Sequence, residues 1–165
     1  MDHQRHRIWI DLSPKLGKIE QFMVPVIEGL GKIDSYLVLE DKKFSTLTQK
    51  ETEALKIFST LTDRFTLSYL WVLGVYELVR TLDRRYKGDN NIVTKIKKLK
   101  SKLARLRIPL AKMEAERKYK STDFPIAYPL MRRQYGISWQ ISKDVVISRR
   151  ELSDQLVDLL KEMPS

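Results

Sequence analysis

The side chains with the most chemical potential in this chain are cations. Lys95, Lys97, Lys98, Lys100, Lys102, Arg105 and Arg107 form a run of seven positive residues with no acidic one among them. If Ile96 and Leu99 take the a and d positions of a heptad, Lys95 and Lys102 fall at g while Lys100 and Arg107 fall at e, flanking the apolar seam. Two such helices side by side would repel each other. The seam is therefore expected to pack inside its own chain, turning Lys97, Lys98 and Arg105 outward to an acidic protein or a phosphate backbone. The same residues also describe a solvated face whose long stems cover apolar surface.

A second basic group lies further on. Arg132, Arg133, Tyr135, Trp139 and Lys143 follow Tyr128, and Arg149 and Arg150 come shortly after. Aromatic rings stack on unpaired bases while guanidinium groups hold phosphates, so Tyr135 and Trp139 are candidate base platforms and the cations candidate phosphate contacts. The competing structural role is a hairpin whose aromatics close the end of a core. No RNP, KH or zinc-finger signature accompanies the run.

The chain offers little conventional catalytic equipment. His3 and His6 are its only histidines, both in a terminal segment expected to fray. No Glu-x-x-His pair is present for a di-iron bundle, and Glu28-Gly29-Leu30-Gly31-Lys32 lacks the spacing of a phosphate-binding loop. No catalytic, cofactor or metal residues are assigned. A carboxylate and lysine site assembled across helices leaves no local signature, so a small hydrolase or nuclease stays open as the alternative function.

Positioning these residues falls to helices. Leu16, Ile19, Met23, Val26, Leu30, Ile33 and Leu37 alternate steps of three and four, predicting a helix over about 14–39 that starts at Ser13 and Pro14 and kinks near Pro25. Thr48 and Glu51 are spaced as a capping box before a second stripe that runs from Ala54 to Tyr86, with Gly88 as the C-cap. Unbroken from 49 to 87, that helix would be about 58 Å long. It exceeds a domain diameter of about 40 Å, so a break is expected near 59–63. Its polar stripe turns apolar at Leu70, Leu73 and Gly74 before Glu77. That gap marks a candidate interface, covered by the 120–147 region or by a second copy of the chain, with Glu77 pairing to Arg80 or Arg84.

A third helix is expected over 91–119, bent near Pro109, and a fourth over 149–162 behind the capping box of Ser148 and Glu151. Between them, Ile137, Trp139 and Ile141 alternate as in a strand, with Val145 to Ile147 as a second strand and Arg7 to Leu12 as a possible third. The fold class is thus mainly α, like a four-helix bundle with a long second helix and a small hairpin or irregular insert before the last.

The 165 residues suit one domain, and the absence of cysteine excludes disulfides and thiolate chemistry. The apolar run from Phe65 to Val79 contains Glu77 and falls short of the roughly 20 residues that cross a bilayer. A cytoplasmic location is expected. A net charge of +10 implies attraction to polyanions, whether nucleic acid, acidic protein or anionic lipid. The function expected is a non-enzymatic helical interaction protein that self-associates and binds an acidic or nucleic-acid partner.

Overall fold

The computed structural model describes residues 1–46 and 59–164. Five α-helices, one 3-10 turn (Arg117–Tyr119) and a small antiparallel sheet make up the described part: α1 (His3–Gly17), α2 (Met23–Thr46), α3 (Ser59–Arg85), α4 (Asn90–Lys112), β1 (Asp123–Arg132), β2 (Gly136–Ser142), β3 (Val146–Ser148) and α5 (Arg149–Glu162). The fold is mainly helical, with a three-stranded sheet before the last helix, and the arrangement is bundle-like.

The amino-terminal region departs from expectation. Ser13 and Pro14 do not open a helix; they lie inside α1, which starts at His3 because the Asp2 side chain accepts a hydrogen bond from the Arg5 N–H at 3.0 Å. The first residues are not frayed either, since the Asp2 N–H donates to the Ser35 carbonyl at 2.9 Å. Trp9, Leu12 and Leu16 bury one stripe of α1, so Arg7 to Leu12 is helix and not a third strand. The interruption falls at 18–22, ahead of Pro25, which sits in the first turn of α2 where a missing N–H costs nothing. Gly31 permits α1 and α2 to touch: a Cβ there would lie 2.4 Å from that of Trp9.

Helices α2 and α3 run antiparallel, tied by Trp71 Nε1 donating to the Leu30 carbonyl at 3.2 Å and by an Asp41–Arg64 pair at the other end. Helix α3 begins at Ser59; the predicted capping box of Thr48 and Glu51 lies outside the described residues. It ends at Arg85, short of Gly88. The seam of α4 is as expected, with Ile92, Ile96, Leu99, Leu103 and Leu106 buried. The helix passes Pro109 and stops at Lys112, before Tyr119, where Met113 turns left-handed at φ 55°.

Strands β2 and β3 form the predicted hairpin, with Trp139 opposite Ile147. The third strand is β1, which holds Pro125 and Pro129. The sheet order β1-β2-β3 makes β1 an edge, and an edge strand tolerates proline because one row of its N–H groups has no ladder partner. Central β2 is buried on both faces, so Ser138 and Ser142 are inside along with Ile137, Trp139 and Ile141. Helix α5 is capped as predicted, the Ser148 hydroxyl accepting from the N–H groups of Arg150 and Glu151. Among the described residues, no helix is long and apolar enough to cross a membrane.

Candidate functional site

A charge network occupies the centre of the molecule. Asp34 and Asp41, two turns apart on α2, continue its buried stripe of Ile27, Leu30, Leu37 and Val38. Arg149 donates one nitrogen to Asp34 Oδ1 and another to Asp41 Oδ2 at 2.6 Å. Arg64 donates to the other Asp41 oxygen at 2.8 Å. Asp34 Oδ2 accepts from Arg5 at 2.6 Å and from Trp9 Nε1 at 2.9 Å. The side chains of Arg149, Asp34, Asp41 and Arg64 are between 0 and 5 % exposed. Burial alone would raise the Asp34 carboxyl, but Arg149 and Arg5 outweigh it and hold it below its ordinary 3.8.

This network positions a surface feature. Strands β1 and β2 are joined by the turn Arg133-Gln134-Tyr135, closed by the pair Arg132 and Gly136. Gly136 has φ +62°, and a Cβ there would fall 2.0 Å from Asp41 Oδ1, so the turn is seated directly on the buried carboxylate. The Ser148 hydroxyl, besides capping α5, donates to the Tyr135 carbonyl at 3.0 Å. The result is a cleft of about 240 Å³ where Lys42 and Ser45 of α2, Gln134 and Tyr135 of the turn, and Arg150 and Asp154 of α5 meet above Asp41.

The charges of the cleft are held in pairs at its rim. Lys42 pairs with Asp2 at 2.6 Å, and Arg150 pairs with Asp154 at 3.1 Å while Asp154 also forms an ion pair with Arg5 at 2.8 Å. The Lys42 ammonium in turn lowers the Asp2 carboxyl. Arg133 Nε donates to the Ser45 carbonyl at 3.3 Å, and the Arg132 guanidinium lies 4.4 Å from the Tyr135 ring. Among the described residues, the network and the cleft lining hold five cations (Arg5, Lys42, Arg64, Arg149 and Arg150) and four carboxylates (Asp2, Asp34, Asp41 and Asp154), and Arg132 and Arg133 lie on the adjoining strand and turn. The amino terminus of α5 adds its partial positive charge to this basic side of the molecule.

Several predicted site residues therefore meet here, and others do not. Tyr135 and Arg150 line the cleft, with Arg132 against the Tyr135 ring and Arg133 against the Ser45 carbonyl beside it. Arg149 does not belong to an anionic-partner surface: it is fully buried and both its charged contacts are internal carboxylates. Trp139 is no base platform, being 3 % exposed on the central strand. Lys143 is exposed in the β2–β3 turn, at the opposite end of β2 from the cleft. On α4, Lys97 and Lys98 face solvent as expected. Arg105 instead makes a two-pronged pair with Asp123 at 2.7 and 2.8 Å and lies 3.9 Å over the Tyr119 ring. Hydrogen bonding to Asp123 raises its already high pKa, so it is a fixed cation committed within the chain.

The candidate interface on α3 is partly occupied from within the chain. Gly74 lies against Leu30 of α2, whose Cδ2 would be 2.8 Å from an added Cβ. Leu70 is half exposed, and Glu77 pairs with Arg80 at 2.7 Å.

Sequence reasoning passed over Lys42, Ser45, Gln134 and Asp154, which are ordinary surface residues until the fold brings them together. Asp34 and Asp41 did leave a signal: carboxylates in register with an apolar helical stripe are buried, and buried carboxylates need cations. Among the described residues no group of three His, Cys, Asp or Glu side chains is placed to hold a metal ion. No protein-family model, curated protein or solved structure matches the chain.

Proposed function

We propose that the protein is a non-enzymatic helical interaction protein that binds single-stranded nucleic acid at the cleft between α2, the β1–β2 turn and α5. The observation that carries this reading is the placing of Arg132 against the Tyr135 ring and of Arg150 in the same cleft, where a base can stack against the phenol while cations take the flanking phosphates. The hydrolase reading needs a carboxylate able to accept a proton or hold a metal. Asp34 and Asp41 are each engaged by two arginines, which favours binding over turnover. Self-association through α3 is supported only by the exposed part of Leu70 and its neighbour Leu73, a small contact.

Fluorescence anisotropy of a labelled single-stranded oligonucleotide against salt concentration tests the proposal. Affinity is expected to fall with a log-log slope of about 0.7 for each phosphate neutralised. Replacing Arg132 and Arg150 with glutamine should lower both affinity and slope; a flat salt response in the parent protein removes the reading.

A further inference from the structure

A second basic surface lies away from the cleft and rests on separate observations. A groove of about 360 Å³ runs between α4 and β3, with Lys98, Ser101, Lys102 and Arg105 on one wall and residues 145–147 on the other. The strand side is the free edge of the sheet, because β3 is last in the order β1-β2-β3. Ile141 N–H donates to the Val145 carbonyl at 3.0 Å, and the register places Trp139 opposite Ile147 and Gln140 opposite Val146. In an antiparallel ladder of that phase, Val145 and Ile147 direct their main-chain groups to β2 and Val146 directs its own outward. Outside the sheet, no backbone hydrogen bond among the described residues reaches Val146, whose side chain is also exposed.

The helical wall supplies charge at a matching spacing. Among the described residues, no carboxylate lies at ion-pairing distance from the exposed Lys98 or from Lys102, whose ammonium is 3.4 Å from the Gln155 amide oxygen. One helical turn separates them, about 5–6 Å between Cβ atoms. Alternate side chains of an extended chain stand about 6.6 Å apart.

We infer that this groove binds an acidic peptide segment in extended conformation, laid beside β3 with acidic side chains at alternate positions on Lys98 and Lys102. An outward N–H and C=O pair on a strand edge gives main-chain hydrogen bonds to a peptide, which a sugar-phosphate backbone cannot return in kind. Arg105, fixed by Asp123 and Tyr119, closes one end as a rigid cation.

The test uses the full chain and labelled nonapeptides of equal composition, one alternating Glu and Val, the other with its glutamates consecutive. The alternating peptide is expected to bind about tenfold more tightly, and Lys98→Glu with Lys102→Glu to weaken it by at least about tenfold, with far-UV circular dichroism unchanged. Two further versions of the alternating peptide, N-methylated on odd or on even amides, probe the edge in the parent protein without any substitution. One should lose about tenfold and the other little, since an added strand uses one row of amides. Equal binding of the two nonapeptides, indifference to both N-methylated versions, or no binding overturns the inference. So does displacement of the bound peptide by an oligonucleotide whose own affinity collapses on charge reversal at Lys98 and Lys102, which would reassign the groove to nucleic acid and leave the cleft unaffected.

Discussion

Arg149 and Arg150 are adjacent at the start of α5, yet the first is wholly enclosed between Asp34 and Asp41 while the second is 24 % exposed at the rim of the cleft. Helical geometry separates them: a step of 100° takes one side chain into the bundle and leaves its neighbour at the surface. Inside, a guanidinium is stable only because carboxylates replace its water, and removing it strands those carboxylates. Outside, a guanidinium keeps its solvation, contributes little to stability and remains able to exchange its partner for a phosphate. The same residue type thus serves the fold in one place and recognition in the other, according to whether its counter-charge is built in.

Substitution of the buried member should have the largest effect. Arg149→Met removes one cation shared by two buried carboxylates and is expected to cost about 3–5 kcal/mol in urea unfolding; a variant as stable as the parent would mean that Arg64 and Arg5 suffice. Gly136→Ala comes next. A left-handed φ of +62° costs alanine about 1–2 kcal/mol by itself. The close approach to Asp41 adds to that, so the turn should shift, and oligonucleotide binding should weaken along with the melting temperature.

Acid should separate the two regions by a smaller margin. Because Asp34 titrates below its ordinary 3.8 in the folded protein, its stabilising contribution is complete at neutral pH. It declines only as pH falls below that value toward the folded-state pKa. Urea midpoints followed from pH 7 to pH 3 should show an acid limb that Asp34→Asn flattens; an unaltered limb would assign acid sensitivity elsewhere. The smallest effect on stability belongs to Arg150→Met, within about 0.5 kcal/mol as for other surface pairs, while oligonucleotide affinity drops. A loss of stability comparable to that of Arg149→Met would erase the distinction between the neighbours.

The helices were legible wherever one period repeated without interruption. The seam of α4 and the Ser148 cap of α5 needed only local spacing, and both are where that spacing puts them. Local spacing misled at the amino terminus, where Ser13 and Pro14 imitate a helix start although Asp2 caps the real one eleven residues earlier. It also failed for β1, since two prolines conceal a strand whose edge position is a property of the sheet and not of its own sequence. The cleft was half visible. Arg132, Arg133, Tyr135 and Arg150 form a cluster in sequence, but nothing local distinguishes Arg149 from its neighbour, because the carboxylates it answers, Asp34 and Asp41, lie in the core stripe of α2. Pairing across more than a hundred residues is invisible to any window along the chain.

The most direct test of the cleft is an amide-resolved NMR titration of the full chain with a single-stranded pentanucleotide at low salt. The account predicts shifts concentrated at Lys42, Ser45, Gln134, Tyr135 and Arg150, with Lys97 and Lys98 little changed. Shifts centred on α4, or spread evenly over the basic surface, would contradict it.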